Sequence, residues 1–123
     1  MRTTSRPKHE GERPPMNARR ISRWDDTPRT TDYAVYHVHE DGKAPRDICV
    51  GRNTRRVLEA LRRSPIYSAS VCRLSDQVLL LRDQHGVDID CTLYRADPDT
   101  GRERFGVYTL LSRVERIKVG GAT

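Results

Sequence analysis

The sequence of 123 residues predicts an α+β fold, in which a β-hairpin and a helix precede a second helix that leads directly into a pair of strands. Two observations predict this class. Apolar residues recur at helical spacing in two segments and at a period of two in others. Clusters of turn-forming residues separate these segments. The length suits one modest core, so we predict a single domain over residues 31–119, preceded by a disordered basic arm at residues 1–30.

The N-terminal hairpin is predicted over residues 31–50. Tyr33 to His39 alternates between two faces, which is typical of a strand. An Asp-Gly turn follows, and Pro45 delays the return strand to about Asp47. The inward face of the first strand is expected to carry Ala34, Tyr36 and Val38.

Two histidines on the other face of this strand raise the question of a metal. His37 and His39 point the same way and, with Cys49 across the hairpin, offer three candidate ligands. A fourth ligand is missing from the pattern, and an exposed strand face explains the pair without a metal. We therefore predict neither a metal nor any other cofactor.

Two helices are indicated by apolar spacing. The first is expected to begin with a cap at Asn53 or Thr54 and to run to about Arg63, before Pro65 stops it. The second has inward residues at i, i+4 and i+7, and Gly86 is expected to end it in the left-handed conformation, after His85. These inward residues are Leu74, Val78 and Leu81.

The C-terminal half is predicted to form a second hairpin. Apolar and polar residues alternate from Val87 to Tyr94, and a polar turn at residues 97–101 precedes a strand over Arg104–Leu111. Ile66 to Val71 fits either a short strand beside this hairpin or one helical turn. Leu111 to Val119 likewise fits a short strand or a helical turn.

The order helix, glycine, strand, turn, strand resembles small winged helix-turn-helix proteins of bacteriophages and prophages. The resemblance covers residues 53–111 and is carried by Arg73, Leu74, Val78, Leu81, Arg82, Gly86, Ile89, Tyr108 and Leu110. It implies an N-terminal β-hairpin fused to an abbreviated winged helix with a C-terminal β-wing, because only eleven residues, Arg62 to Cys72, remain for the middle helix. It also implies a DNA-binding regulator of a phage or mobile element, acting in the cytoplasm of a bacterial host.

Charge supports a nucleic-acid partner and shows where the contacts are expected. The net charge is +6; residues 1–24 hold seven basic against two acidic residues, and the other 99 residues hold sixteen against fifteen. With double-stranded DNA as partner, the candidates for base edges are Arg73, Gln77 and Gln84. The candidates for phosphate contacts are Arg55, Arg56, Arg62, Arg102 and Arg104.

A different class of function is indicated by the outer face of the second helix. Asp76, Leu79, Leu80 and Asp83 form an acidic and apolar surface there. Exposed leucines more often mark a protein contact than a groove contact. The alternative is therefore a protein-binding module that forms a homodimer or inhibits a host protein, for example a defence protein. Packing of the leucines under the N-terminal hairpin would explain them without any partner.

Other classes are not favoured by the sequence. It contains no glycine-rich phosphate loop and no nucleophile or metalloprotease motif, so we predict no catalytic residues and no enzyme. The three cysteines are widely spaced and fit buried thiols in the cytoplasm. No apolar run is long enough to span a membrane. Met16 is an alternative start, and Trp24 is expected to pin the end of the arm onto the body.

Overall fold

The computed structural model describes residues 9–10, 15–30, 32–40, 42–68, 74–95 and 104–117. The helices within these ranges are α1 (Arg52–Arg63), α2 (Leu74–Asp83) and a 3-10 turn (Trp24–Asp26). The strands are β1 (His9–Glu10), β2 (Arg19–Ile21), β3 (Ala34–His39), β4 (Arg46–Val50), β5 (Ile66–Ser68), β6 (Ile89–Arg95), β7 (Arg104–Leu110) and β8 (Arg113–Ile117). None of the described helices is long and apolar enough to cross a bilayer.

The strands form two sheets. The larger has the order β1-β6-β7-β5-β2 and the smaller the order β4-β3-β8. Tyr108 of β7 lies opposite Cys91 on one side and Ile66 on the other. The chain passes from the larger to the smaller sheet through Leu111 and Ser112, which connect β7 to β8. The predicted hairpin of β3 and β4 is confirmed, with its alternating pattern.

One core joins the two sheets and the two helices. Val57 and Leu58 of α1 are fully buried, together with Tyr36 and Val38 of β3 and Ile89 of β6. Burial of each such side chain contributes about 1.5–3 kcal/mol. The predicted inward residues of α2, which are Leu74, Val78 and Leu81, are confirmed as buried.

The prediction of an abbreviated winged helix-turn-helix is wrong. Between the two helices, where that fold needs a helix, Ile66–Ser68 is a strand paired with β7. Pro65 explains this, because a proline disfavours helical geometry in the residue before it, and Ser64 is extended at φ −168° and ψ 163°. The chain is instead a strand-rich α+β protein with two sheets. The segment that begins at Ile66 is predicted as either a short strand or a helical turn, and the strand is the alternative observed.

Part of the predicted disordered arm forms secondary structure, which includes β1 and β2. Arg19–Ile21 pairs in parallel with β5, and Ile21 is only 1% exposed. Trp24 packs against the core, as expected from its size and apolar surface. Residues 1–8 and 11–14 of the arm lie outside the described residues.

The end of α2 confirms the prediction for Gly86, which has φ +66°. The amide of Gly86 donates to the carbonyl of Arg82, and that of Val87 donates to the carbonyl of Leu81. The bond from Gly86 to Arg82, with Gly86 in the left-handed conformation, is the one that defines the αL motif. The predicted cap of α1 is wrong, because Gly51 stands at the N-cap and no side chain caps the helix there. The last predicted strand is present as β8 and pairs with β3.

The β6 strand is covered on both faces rather than half-buried. Cys91 faces one side and is 1% exposed, while Thr92 and Tyr94 face the other and are 9% and 8% exposed. Tyr94 belongs to a second, smaller cluster with Phe105 and Val107. Ala18 packs against this cluster, so the N-terminal segment contributes to covering the outer face of the larger sheet.

Candidate nucleic-acid interface

The arginines of α1 that the sequence suggests as phosphate contacts all bind other groups of the protein, and Arg55 is buried. Arg55 is 7% exposed. Its Nε donates to the hydroxyl of Tyr36 at 3.0 Å and its Nη1 to the carbonyl of Asp32 at 2.7 Å. A guanidinium so enclosed is not available to a phosphate on the surface. Its placement fixes β3 and the residues before it against α1.

Arg56 and Arg62 also bind other parts of the chain. Arg56 donates to the hydroxyl of Thr27 at 2.9 Å and to the carbonyl of Trp24, so it holds the segment before β3 against the helix. Arg62 pairs with Glu59 at 2.9 Å, donates to a backbone carbonyl of β8 and lies over the ring of Tyr36, 5.5 Å from its centroid. These two side chains therefore connect α1 to the segment before β3 and to β8.

One base-edge candidate, Arg73, and the two remaining phosphate candidates, Arg102 and Arg104, lie at or beyond the limits of the described residues. Arg73 and Arg102 lie outside the described residues. The backbone of Arg104 begins β7, while its side chain is outside them as well. Their part in an interface stays a prediction.

The outer surface of α2 carries few side chains that could form hydrogen bonds with base edges. Gln77 accepts a hydrogen bond from Thr54 of α1, which directs it toward the neighbouring helix. Gln84 is exposed just beyond the last turn. Asp76 and Asp83 are exposed on the helix, as is Leu79, at 49%, while Leu80 is half-buried. The face that a winged helix would insert into the major groove is thus acidic and apolar.

Exposed arginines occur instead on the ordered segment before β3. We call Arg19, Arg20, Arg23 and Arg29 the N-terminal arginines; all four are exposed. Arg19 and Arg20 stand on β2, whose pairing with β5 fixes their backbone opposite Ile66 and Tyr67. Because successive residues of a strand point to opposite faces, these two arginines extend to either side of the sheet edge.

The segment that carries the N-terminal arginines is held by several contacts. The carboxylate of Asp26 accepts hydrogen bonds from the amides of Ser22 and Arg23, at 2.8 and 3.2 Å. The bond from Ser22 is the main cause that lowers the pKa of Asp26, because it favours the charged carboxylate. Thr27 donates to the carbonyl of Trp24, the group that Arg56 also binds. The segment contains two acidic residues, and the carboxylate of one of them, Asp26, is thus bound to backbone amides.

A groove lies at the C-terminal end of α1. Its volume is about 430 Å³. It is lined by Glu59, Arg62, Arg63, Leu110, Ser112 and Val114. Arg63 is exposed at this groove. The amide of Arg19 donates to the carbonyl of Pro65, two residues after Arg63, at 2.8 Å. The backbone of the first N-terminal arginine is therefore near the end of α1, whereas the side chain of Arg63 lines the groove with Leu110 and Val114.

The open face of the smaller sheet carries paired histidines. Nδ1 of His37 lies 2.5 Å from Oδ1 of Asp47, and Nε2 of His39 lies 3.1 Å from Oε1 of Glu115. The two imidazole rings meet edge to face at 4.5 Å. A hydrogen bond from Arg113 is the main cause that lowers the pKa of Glu115. No group of three or more candidate ligands within the described ranges has the spacing to hold a metal.

The sequence predicted phosphate contacts from the basic arm as a whole but named none of the N-terminal arginines, because it assigned them to a disordered arm. The available signal was Ile21 and Trp24, two large apolar residues in a polar stretch, and both pack against the core. Comparisons of the chain with protein-family models, with curated proteins and with solved structures find no match.

Proposed function

We propose that this protein binds double-stranded DNA through its phosphates, by means of the N-terminal arginines. The observation that carries the proposal is that these four exposed guanidinium groups stand on a segment whose backbone is fixed by β5 and by Arg56. Arginines supply most of the affinity of a protein for a phosphate backbone. Donors that are fixed before binding lose less conformational entropy when they bind.

The distribution of charge supports the same surface. Within residues 15–30 there are four arginines against two aspartates, and residues 1–14 add four basic residues against two glutamates. A local excess of positive charge raises the rate at which a polyanion meets the surface. The two aspartates of the segment, Asp25 and Asp26, offset part of this charge, but its four arginines outnumber them.

Phosphate contacts position a protein on DNA without identifying a sequence. Because α2 presents Asp76, Leu79 and Asp83 outward, we expect little discrimination between duplexes of different sequence. A role as a regulator encoded by a phage or mobile element, in the cytoplasm of a bacterial host, belongs to this proposal and rests only on the sequence resemblance over residues 53–111, where the winged helix that this resemblance implies is not formed.

The test compares two double variants of equal charge. Arg19→Gln with Arg23→Gln removes two N-terminal arginines, while Arg113→Gln with Arg116→Gln removes two exposed arginines of β8 on the other sheet. Fluorescence anisotropy with a labelled duplex gives the Kd at several salt concentrations. The first variant should bind more weakly, and its slope of log K against log salt should fall by about two. Equal effects of the two variants would reject this surface.

A second candidate function has one specific observation in its favour. Leu79 is a large apolar side chain, 49% exposed, on the same helix face as Asp76 and Asp83. Such a surface fits a protein partner, either a second copy of the chain or a basic host protein. Leu79→Arg should then reduce self-association on a sizing column or in sedimentation. A monomer that is unchanged by this substitution would leave no support for the homodimer.

A further inference from the structure

The ring of Tyr33 lies flat on the backbone of Gly51. A Cβ atom built on Gly51 would stand 2.6 Å from Cγ, 2.6 Å from Cδ2 and 2.8 Å from Cδ1 of the tyrosine. Nearly equal distances to three adjacent ring atoms mean that the glycine meets the face of the ring and not its edge. Tyr33 is nevertheless 62% exposed, so the opposite face of the ring is open to solvent.

The residues around this ring are fixed. Gly51 precedes the first turn of α1 and is buried. Asp32, on the other side, has its carbonyl bound by the buried Arg55 at 2.7 Å. Because Tyr33 also leads directly into β3, its backbone has little freedom. An exposed aromatic ring backed by glycine and held at both ends is preorganised to receive a planar group.

The position next to Gly51 adds a cation to this surface. Arg52 is exposed and has φ +55°, the left-handed conformation that side chains other than glycine rarely adopt. Such strain persists where the surrounding structure determines it and is concentrated at functional sites. Arg29, four residues before Tyr33, is exposed as well.

We propose that Tyr33 is a stacking platform for an unpaired nucleic-acid base and that Arg52 contacts the phosphate beside that base. An aromatic ring binds any base through its π-face, and a neighbouring arginine binds the backbone. The inference rests on the proposed function and deepens it. It names the preferred ligand as a duplex that carries an unpaired single-stranded tail.

The test uses two labelled probes, a blunt DNA duplex and the same duplex with a short single-stranded thymidine tail. The protein should prefer the tailed probe. Tyr33→Ala should lower affinity for the tailed probe by about tenfold or more and leave affinity for the blunt duplex unchanged, while Tyr33→Phe should keep the preference. Leu111→Ala, at another exposed apolar residue, is the matched control and should change neither value.

A second readout reports stacking directly. A 2-aminopurine base placed in the tail should lose fluorescence on binding the unaltered protein and Tyr33→Phe, and should lose much less on binding Tyr33→Ala. Unchanged tail binding and quenching by Tyr33→Ala would overturn the platform, while binding to the blunt duplex would leave the proposed function in place. Absence of binding to both probes at low salt would overturn both proposals.

Discussion

The guanidinium of Arg55 donates a hydrogen bond to the hydroxyl of Tyr36, 3.0 Å away, from inside the core. Tyr36 in turn donates to the carboxylate of Glu59, which also pairs with Arg62. Three charged side chains of α1 are thus parts of one polar network under the smaller sheet. The number of arginines in this helix therefore overstates the positive charge that it presents to a ligand.

We expect Arg55→Met to lower the free energy of unfolding by about 3 kcal/mol, because it leaves the carbonyl of Asp32 and the hydroxyl of Tyr36 without a buried donor. Urea denaturation measures this loss. The exposed Arg63 provides the control, since Arg63→Met should change stability by only about 0.5 kcal/mol. Similar losses for the two variants would show that the network does not stabilise the fold.

Alkaline pH should weaken the fold through Tyr36. Burial is the main cause that raises the pKa of Tyr36, and the hydrogen bond to Glu59 raises it further. The unfolded chain therefore releases this proton at a lower pH than the folded chain does. The stabilising contribution is complete below about pH 10, the ordinary pKa of tyrosine, and is lost as the pH rises through the folded pKa.

Urea denaturation at pH 8 and pH 10.5 measures this effect when the unaltered protein is compared with Tyr36→Phe. The unaltered protein should lose more stability between the two pH values than the variant does. Tyr94, whose pKa is raised mainly by burial, is present in both proteins and cancels from the comparison. A pH dependence that is the same in both would contradict the assignment to Tyr36.

The glycine after α2 should be more sensitive to substitution than the glycine of the first hairpin. Gly42 and Gly86 have φ +76° and +66°, and an alanine at either position costs about 1 kcal/mol for the left-handed backbone. At Gly42 the added Cβ meets nothing within 4 Å, whereas at Gly86 it comes within 2.7 Å of Nη2 of Arg46. That nitrogen donates to the carbonyls of His85 and Gly86.

Gly86→Ala should therefore destabilise the protein by about 1 kcal/mol more than Gly42→Ala, since it also weakens the hydrogen bonds of Arg46. Thermal unfolding of the two variants gives the comparison. If Gly42→Ala costs as much as Gly86→Ala, the contact between Arg46 and the end of α2 contributes nothing.

The elements that the sequence predicts correctly are those with a local signal. The alternation from Tyr33 to His39 indicates β3, and the spacing of Leu74, Val78 and Leu81 indicates α2. Gly86 marks the end of that helix through its own backbone preference. Each of these depends on residues within one or two turns of the chain.

The rest depends on contacts that are distant in the sequence. β2 has three residues and one apolar side chain, Ile21, and forms only because β5 lies beside it, 47 residues later in the register. The partners of Arg55 and Arg56 lie 19 to 32 residues before them. Sequence spacing alone cannot distinguish an arginine that is buried with such partners from one in solvent. For this reason the sequence placed the candidate interface on α1, whereas the structure favours the N-terminal arginines.

The dependence of duplex binding on salt tests the central proposal most directly. If the four N-terminal arginines each contact a phosphate, log K should fall with log salt with a slope of about −3 to −4. The slope should be similar for duplexes of unrelated sequence, because base edges are not contacted. No measurable duplex binding at low salt, or an affinity that does not change with salt, would contradict the proposal.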